Sequence, residues 1–164
     1  MTHMFVPGPV DVAPEVLAAQ TKPMLPHRSK DFEAIFRGSE EKAKQLFYTQ
    51  NRVFQAASSG SGMQEAGIRN FVQQDVLSCV NGAFAQRWYD VAVANGKTAD
   101  KLEVEFGEAI MPDMLRDALK KKHYEAVTIV HNETSTGVEN PLGDLCKVVQ
   151  EVSPDTLILV DAVS

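Results

Sequence analysis

Residues 52–74 read RVFQAASSGSGMQEAGIRNFVQQ, and the turn at their centre, Ser58-Ser59-Gly60-Ser61-Gly62, decides how the chain is organised. Before it, Val53, Phe54, Ala56 and Ala57 form an apolar run expected to be a strand; after it, a helix is expected from Met63. A strand that turns through small residues into a helix leaves backbone N–H groups unpaired at the positive end of the helix dipole. Such a corner suits an anion, and phosphate best, because Ser59 and Ser61 add hydroxyl donors while Gly60 and Gly62 let a ligand approach the backbone. The spacing is neither that of the P-loop, nor of the dinucleotide fingerprint, nor of the hydrolase nucleophile elbow. A small-residue connection with no ligand has the same composition, and at this level both readings stand.

Around that corner lie 164 residues, 44% hydrophobic and 23% charged, enough for one domain with a sizeable core. A formal charge of -6, with no basic patch interleaved with aromatics, argues against nucleic acid as a partner. No basic-then-apolar leader and no apolar run of membrane-spanning length is visible, so a cytoplasmic protein with no membrane partner is expected. Cys79 and Cys146 lie far apart, in a strand-like and a helix-like segment, and read as buried free thiols; no metal site is expected.

Residues 1–28 read as an irregular arm, broken by Pro7, Pro9, Pro14, Pro23 and Pro26, with room for a short helix at Glu15 to Gln20. Ser29 can cap a long amphipathic helix whose Phe32, Ile35, Phe36, Ala43, Leu46 and Phe47 recur at helical spacing and are expected to face a core. Past the corner, Ala66, Ile68, Phe71 and Val72 give the next helix its apolar side. Then strands at Val76 to Val80, Lys101 to Phe106, Ala126 to His131 and Thr156 to Val160 alternate with helices at Ala83 to Asn95, from Pro112, and at Pro141 to Val152. Asn132 to Asn140 reads as a polar loop. The alternation implies right-handed crossovers, and the class is α/β, a mostly parallel sheet with helices on both faces. Ligands of such sheets bind outside the carboxyl ends of the strands, which here carry Ser59 to Gly62, Asn81 to Phe84, Asn132 to Thr136, and Asp161. An Asp at a strand end also serves as a cap or turn residue, so Asp161 carries both readings at this point.

Several short motifs, in order, resemble the class V aminotransferases that use pyridoxal phosphate, specifically the alanine-glyoxylate and serine-pyruvate group. They are Pro7-Gly8-Pro9, His27-Arg28-Ser29, Ser59-Gly60-Ser61-Gly62 with Glu65-Ala66, and Asn81-Gly82 with Gln86-Arg87. Glu133 to Val138 with Pro141-Leu142, and Leu159 to Ser164, complete the series. The resemblance spans nearly the whole chain. It implies a fold-type-I large domain, of which residues 29–164 are the amino-terminal portion, following the arm at 1–28.

The resemblance implies pyridoxal 5'-phosphate as cofactor, its phosphate held by Ser59, Gly60 and Ser61. Phe84 falls where relatives carry an aromatic ring, often Trp, over the pyridine face; Thr134 falls near the phenolic oxygen or ring edge, and Val163 against the other face. Gly8 matches a backbone position near the substrate carboxylate. Asp161 is the expected partner of the pyridine nitrogen, keeping it protonated so that the ring can accept electrons. Relatives carry the Schiff-base lysine downstream of this Asp, beyond Ser164, with a small domain and its carboxylate-clamping arginine. Lys97, Lys101, Lys120, Lys121, Lys122 and Lys147 read as solvated charges. The complete protein is therefore expected to be a homodimer that transfers an amino group from alanine or serine to glyoxylate or pyruvate, and the 164 residues alone to be inactive. A class V lyase or desulfurase, and a non-catalytic anion-binding or assembly module, are the alternatives.

Overall fold

Val76-Leu77-Ser78-Cys79-Val80 is buried on both sides, and in the computed structural model, which describes residues 3–164, it forms the central strand β1 (Asp75–Val80). The described chain falls into two compact units, Met1–Ala57 and Ser58–Ser164.

The first unit holds two helices, α1 (Pro14–Ala19) and α2 (Lys30–Leu46). Ser29 caps α2 as expected, its hydroxyl accepting from the Phe32 N–H, and Asp31 and Glu33 sit in the first turn where the dipole favours them. The expected core face of α2 is not buried: Phe32, Ile35, Phe36, Leu46 and Phe47 are exposed. An amphipathic stripe is buried only by a second apolar layer, and α1, with no buried residue, supplies none. The strand expected at Val53 to Ala57 is also absent; these residues are irregular, since a strand requires a neighbour to take its N–H and C=O groups and none pairs with them.

In the second unit, α3 (Gly60–Phe71) precedes β1; then follow α4 (Ala83–Ala94), β2 (Thr98–Glu103), α5 (Pro112–Lys121) and β3 (Ala126–Val130). A two-stranded antiparallel hairpin, β4 (Asn132–Glu133) and β5 (Val138–Glu139), occupies what reads as a polar loop. Two-residue strands are too short to show alternation. The chain continues through α6 (Leu142–Val152) to β6 (Leu157–Asp161). β2 begins at Thr98, ahead of the expected Lys101, because Asp75 to Val80 pair in register with Thr98 to Glu103.

The four-stranded sheet runs β2-β1-β3-β6, and all its pairings are parallel. Alternate residues of β1 and β3 point to opposite faces. Leu77, Cys79, Val127 and Ile129 meet Leu115, Leu119, Leu145, Val148 and Val149 of α5 and α6. Val76, Val80, Ala126 and Val130 meet Ile68 of α3 and Ala85, Trp88 and Ala92 of α4. β2 and β6, at the edges, are only partly buried.

From β1 the chain crosses one way to β2 and then back to β3, so the order reverses between β1 and β3. A crevice at the carboxyl ends of strands at such a reversal is where doubly wound sheets take ligands. The opposite ends are tied by ion pairs: Lys122 Nζ lies 2.8 Å from an Asp75 carboxylate oxygen and 2.9 Å from one of Asp100. Lys122 is thus an anchored cation where a solvated one was expected.

Candidate active site

At the carboxyl end of β1 the chain turns through Asn81-Gly82 into α4, and the start of α4 is capped by a carboxylate from another element. Glu133, fully buried, accepts the Ala85 N–H at 2.8 Å and the Phe84 N–H at 3.3 Å. It also accepts the Ser135 hydroxyl at 2.7 Å and the Ser135 N–H at 3.1 Å, while the Ser135 hydroxyl oxygen accepts the Ala83 N–H at 2.9 Å. A negative group at a helix start is favoured by the dipole, and a buried one requires this many donors. Gly82 is what allows the approach: a Cβ there would lie 2.3 Å from Glu133 Cγ and 2.7 Å from Ser135 Oγ.

The hairpin itself is held by Asn140. Its Oδ1 accepts the Ile110 N–H at 2.8 Å and Asn81 Nδ2 at 3.3 Å, and its Nδ2 donates to the Val130 carbonyl at 2.7 Å. The chain around Glu133 and Thr134 is therefore fixed to the ends of both β1 and β3.

Ser59 is the N-cap of α3, its hydroxyl oxygen accepting the Gly62 N–H at 3.1 Å. Ser61 Oγ accepts from Arg87 Nη1 at 2.7 Å. Each hydroxyl thus accepts one bond and keeps its own hydrogen to donate, and the N–H groups of Gly60 and Ser61 have no intrahelical acceptor. Gly62 keeps the corner open, since a Cβ there would lie 2.3 Å from Ser58 Oγ. The Arg87 guanidinium, 5.9 Å from the Phe84 ring centroid, brings positive charge to the same corner.

One turn along α3, Gln64 is buried. Its Nε2 donates to Asp161 Oδ2 at 3.0 Å and lies 3.5 Å from the Phe84 carbonyl oxygen. The other Asp161 oxygen accepts the Val163 N–H at 3.2 Å. Thr134 Oγ1 is 2.5 Å from Ser164 Oγ. Phe84 and Val163 keep exposed surface, 40% and 85%, so neither is a core residue.

Among the expected site residues, then, Ser59, Gly60 and Ser61 start α3, and Gln64 of that helix joins Phe84 and Asp161. Val163 is bonded to Asp161, and Thr134 to the chain just after it. Gly8 belongs to the Met1–Ala57 unit. Gln64, Glu133, Ser135 and Arg87 carry contacts that sequence reading assigned to none of them. Gln64 had a visible signal: with Ile68 one turn on, it is a polar residue on the apolar stripe of α3.

The two thiols take no part in these contacts. Burial pushes Cys79 up to about 12, and burial also raises Cys146.

Serine-lined helix start, carboxylate and half-exposed aromatic ring lie at the carboxyl ends of the strands of a parallel sheet, and the class is an α/β domain. The aminotransferase class-V family model matches residues 15–164, and the chain belongs to that family. It is 37% identical over 164 residues to an uncharacterized aminotransferase of Methanocaldococcus jannaschii, covering 98% of this chain and 42% of that one. It is 33% identical over 168 residues to a serine–glyoxylate aminotransferase of Methylorubrum extorquens, covering 99% and 42%. An alanine–glyoxylate aminotransferase from Nostoc sp. superposes with a TM-score of 0.88 at 31% identity, covering 94% of this chain and 41% of that one. The chain thus spans about two fifths of the length of the relatives it matches. No helix among the described residues is long and apolar enough to cross a membrane.

Proposed function

We propose that these residues are the amino-terminal portion of the cofactor-binding large domain of a pyridoxal-phosphate-dependent aminotransferase. The complete protein moves an amino group from a small amino acid, alanine or serine, to a 2-oxo acid, glyoxylate or pyruvate. The observation that carries the reading is the triad Gln64, Phe84 and Asp161 lying one helical turn from the Ser59 to Ser61 corner. The serine–glyoxylate and alanine–glyoxylate relatives support the substrate class.

The donor set fits the group. A phosphate would take the free N–H groups and hydroxyl hydrogens at the start of α3, with Arg87 balancing its charge. The Phe84 ring would offer a stacking face but no hydrogen-bond donor to the pyridine ring, and Val163 would take the other face. Asp161 would hold a proton on the pyridine nitrogen, and Thr134 would present a hydroxyl at the ring edge. When bound, pyridoxal phosphate supplies the electron sink for the pair released as the Cα proton leaves. The complete protein acts as a homodimer in the cytoplasm. A polypeptide of these 164 residues has no lysine matched to the family's covalent attachment point and does not transaminate by itself.

The test uses the full-length gene product with alanine or serine as donor and glyoxylate or pyruvate as acceptor, following the keto acid formed. Asp161→Asn is expected to keep the fold and bound cofactor and lose turnover far more than affinity, because it removes the charge that holds the ring proton. Parental turnover in that variant, or sulfide as product in place of a keto acid, would refute the reading.

A further inference from the structure

Gln64 is 4% exposed, and its amide sits between two acceptors, the Asp161 carboxylate and the Phe84 carbonyl. Neither can donate to it, so the nitrogen end must face them, and the amide orientation is fixed by chemistry. The other end, Oε1, is buried with no partner. A buried acceptor left unpaired is a penalty that Leu or Met, which fill similar volume, would not carry, and the N–H end is the one that makes contacts here.

We infer that Gln64 is a positioning residue for the cofactor ring: its N–H bond holds the Asp161 carboxylate aimed at the pyridine nitrogen while its second contact sets the backbone of Phe84. The inference rests on the pyridoxal-phosphate reading above. Two of the three residues in this contact are the expected nitrogen partner and the expected stacking ring, and they lie on different elements, β6 and α4. With Oδ1 bonded to the Val163 N–H and Oδ2 to Gln64, the carboxylate is held at both oxygens and cannot rotate freely. A fixed carboxylate costs no reorganisation when the ring arrives, which is the advantage of a preorganised site. Gln64 itself touches no reacting atom; it acts through Asp161.

The experiment uses the full-length gene product, freed of its cofactor, together with pyridoxine 5'-phosphate, which lacks the aldehyde and so binds without a bond to a lysine. Affinity is read by titration. The absorption spectrum of the bound probe, at a pH where the free probe is a mixture, gives the share with a protonated ring nitrogen. Parent chain is expected to enrich the protonated form. Gln64→Met, which keeps volume and removes the donor, is expected to weaken binding about tenfold, the worth of one hydrogen bond to a charged group, and to return the spectrum toward the free mixture. Gln64→Glu keeps the shape and presents a second acceptor to Asp161, and is expected to lower affinity while helical content is retained. If Gln64→Met fails to fold by circular dichroism, the Glu variant decides. A parent that enriches the protonated ring and a folded variant with parental affinity and spectrum would show that Gln64 merely fills space. A parent that does not bind the probe would overturn the cofactor reading, and this inference with it.

Discussion

Gly82 shows how one missing side chain determines a buried network. Its φ of 169° is ordinary extended backbone, so the demand for glycine comes from the Glu133 side chain packed where a Cβ would be. In Gly82→Ala the carboxylate must move off the Phe84 and Ala85 N–H groups, leaving donors and a buried charge poorly paired. We expect a loss of roughly 2–4 kcal/mol in a urea titration, the range for breaking a buried charged network. A loss below about 0.5 kcal/mol, as at an ordinary surface site, would mean that Glu133 can relocate without cost. Phe84 is a contrasting case. Its ring is partly exposed, so Phe84→Ala should cost the fold little while loosening pyridoxal phosphate in the complete protein by about 1 kcal/mol beyond lost area. Phe84→Trp should restore affinity; equal dissociation constants for all three proteins would remove the ring from the site. Such roles are unevenly visible in a sequence. Asp161 and Phe84 stand out because each follows a strand end or turn, whereas Gln64 and Asp161 meet across 97 positions and their bond has no local signature.

Elements were legible where the local signal and the tertiary demand agree. Ser29 and Ser59 cap the helices they precede, Pro112 opens α5, and Gly96, with φ 71°, closes the turn after α4. The strand expected before Ser58 failed because apolar composition cannot supply a pairing partner, and the β4–β5 hairpin was hidden because two-residue strands have no period. The amino ends of the strands carry a charge cluster around Lys122, which reads as a solvated charge in the sequence, and it makes a prediction about pH. Hydrogen bonding to Asp75, then to Asp100, raises the Lys122 ammonium above its usual range. The bond from Lys122, aided by Tyr124, holds the Asp100 carboxyl below its usual range, against desolvation. Burial, then the bond to Asp100, pushes the Tyr124 phenol up to about 12. For Lys122 and Tyr124 the folded value is the higher one. Their contribution is complete below the unfolded values of about 10, and is lost as pH rises through the folded ones. For Asp100 the folded value is the lower one. Its contribution is complete above about 3.9 and is lost as pH falls through the folded one. The urea midpoint should therefore be supported between those limits. Lys122→Met should lower the midpoint there and flatten both limbs, since it removes the largest cause of the Asp100 shift. A midpoint-against-pH curve parallel to the parent's would show the cluster to be incidental.

For the molecule as a whole, the decisive contrast is where apolar surface is buried. Every fully buried hydrophobic residue described lies between Ile68 and Val149, within the Ser58–Ser164 unit, and the one buried residue of α2 is Glu40. Helices draw most of their stability from packing, and α2 buries no apolar residue; beyond an Arg52 contact to Glu40 at 3.6 Å its support is local. That support is the Ser29 cap, an Arg37–Glu33 pair at 2.8 Å and Lys44 pairs to Glu41 at 2.9 Å and Glu40 at 4.0 Å. An exposed pair such as Arg37–Glu33 contributes a few tenths of a kcal/mol. A cap adds about 1 kcal/mol, which for 17 residues leaves a helix close to balance with the coil. The amides of β1 and β3, by contrast, can exchange only when the sheet opens, because apolar side chains cover both of its faces there. Native-state hydrogen exchange of the 164-residue chain, read by mass spectrometry of peptides, should therefore separate the two units. Peptides from α2 should exchange through local fraying, near the rate of unprotected chain, and peptides from 75–80 and 126–130 at the rate of global unfolding. Adding urea should accelerate the second group and leave the first almost unchanged, since local opening exposes little new surface. Protection of α2 equal to that of β3, with the same urea dependence, would show that the helix is held by tertiary burial after all.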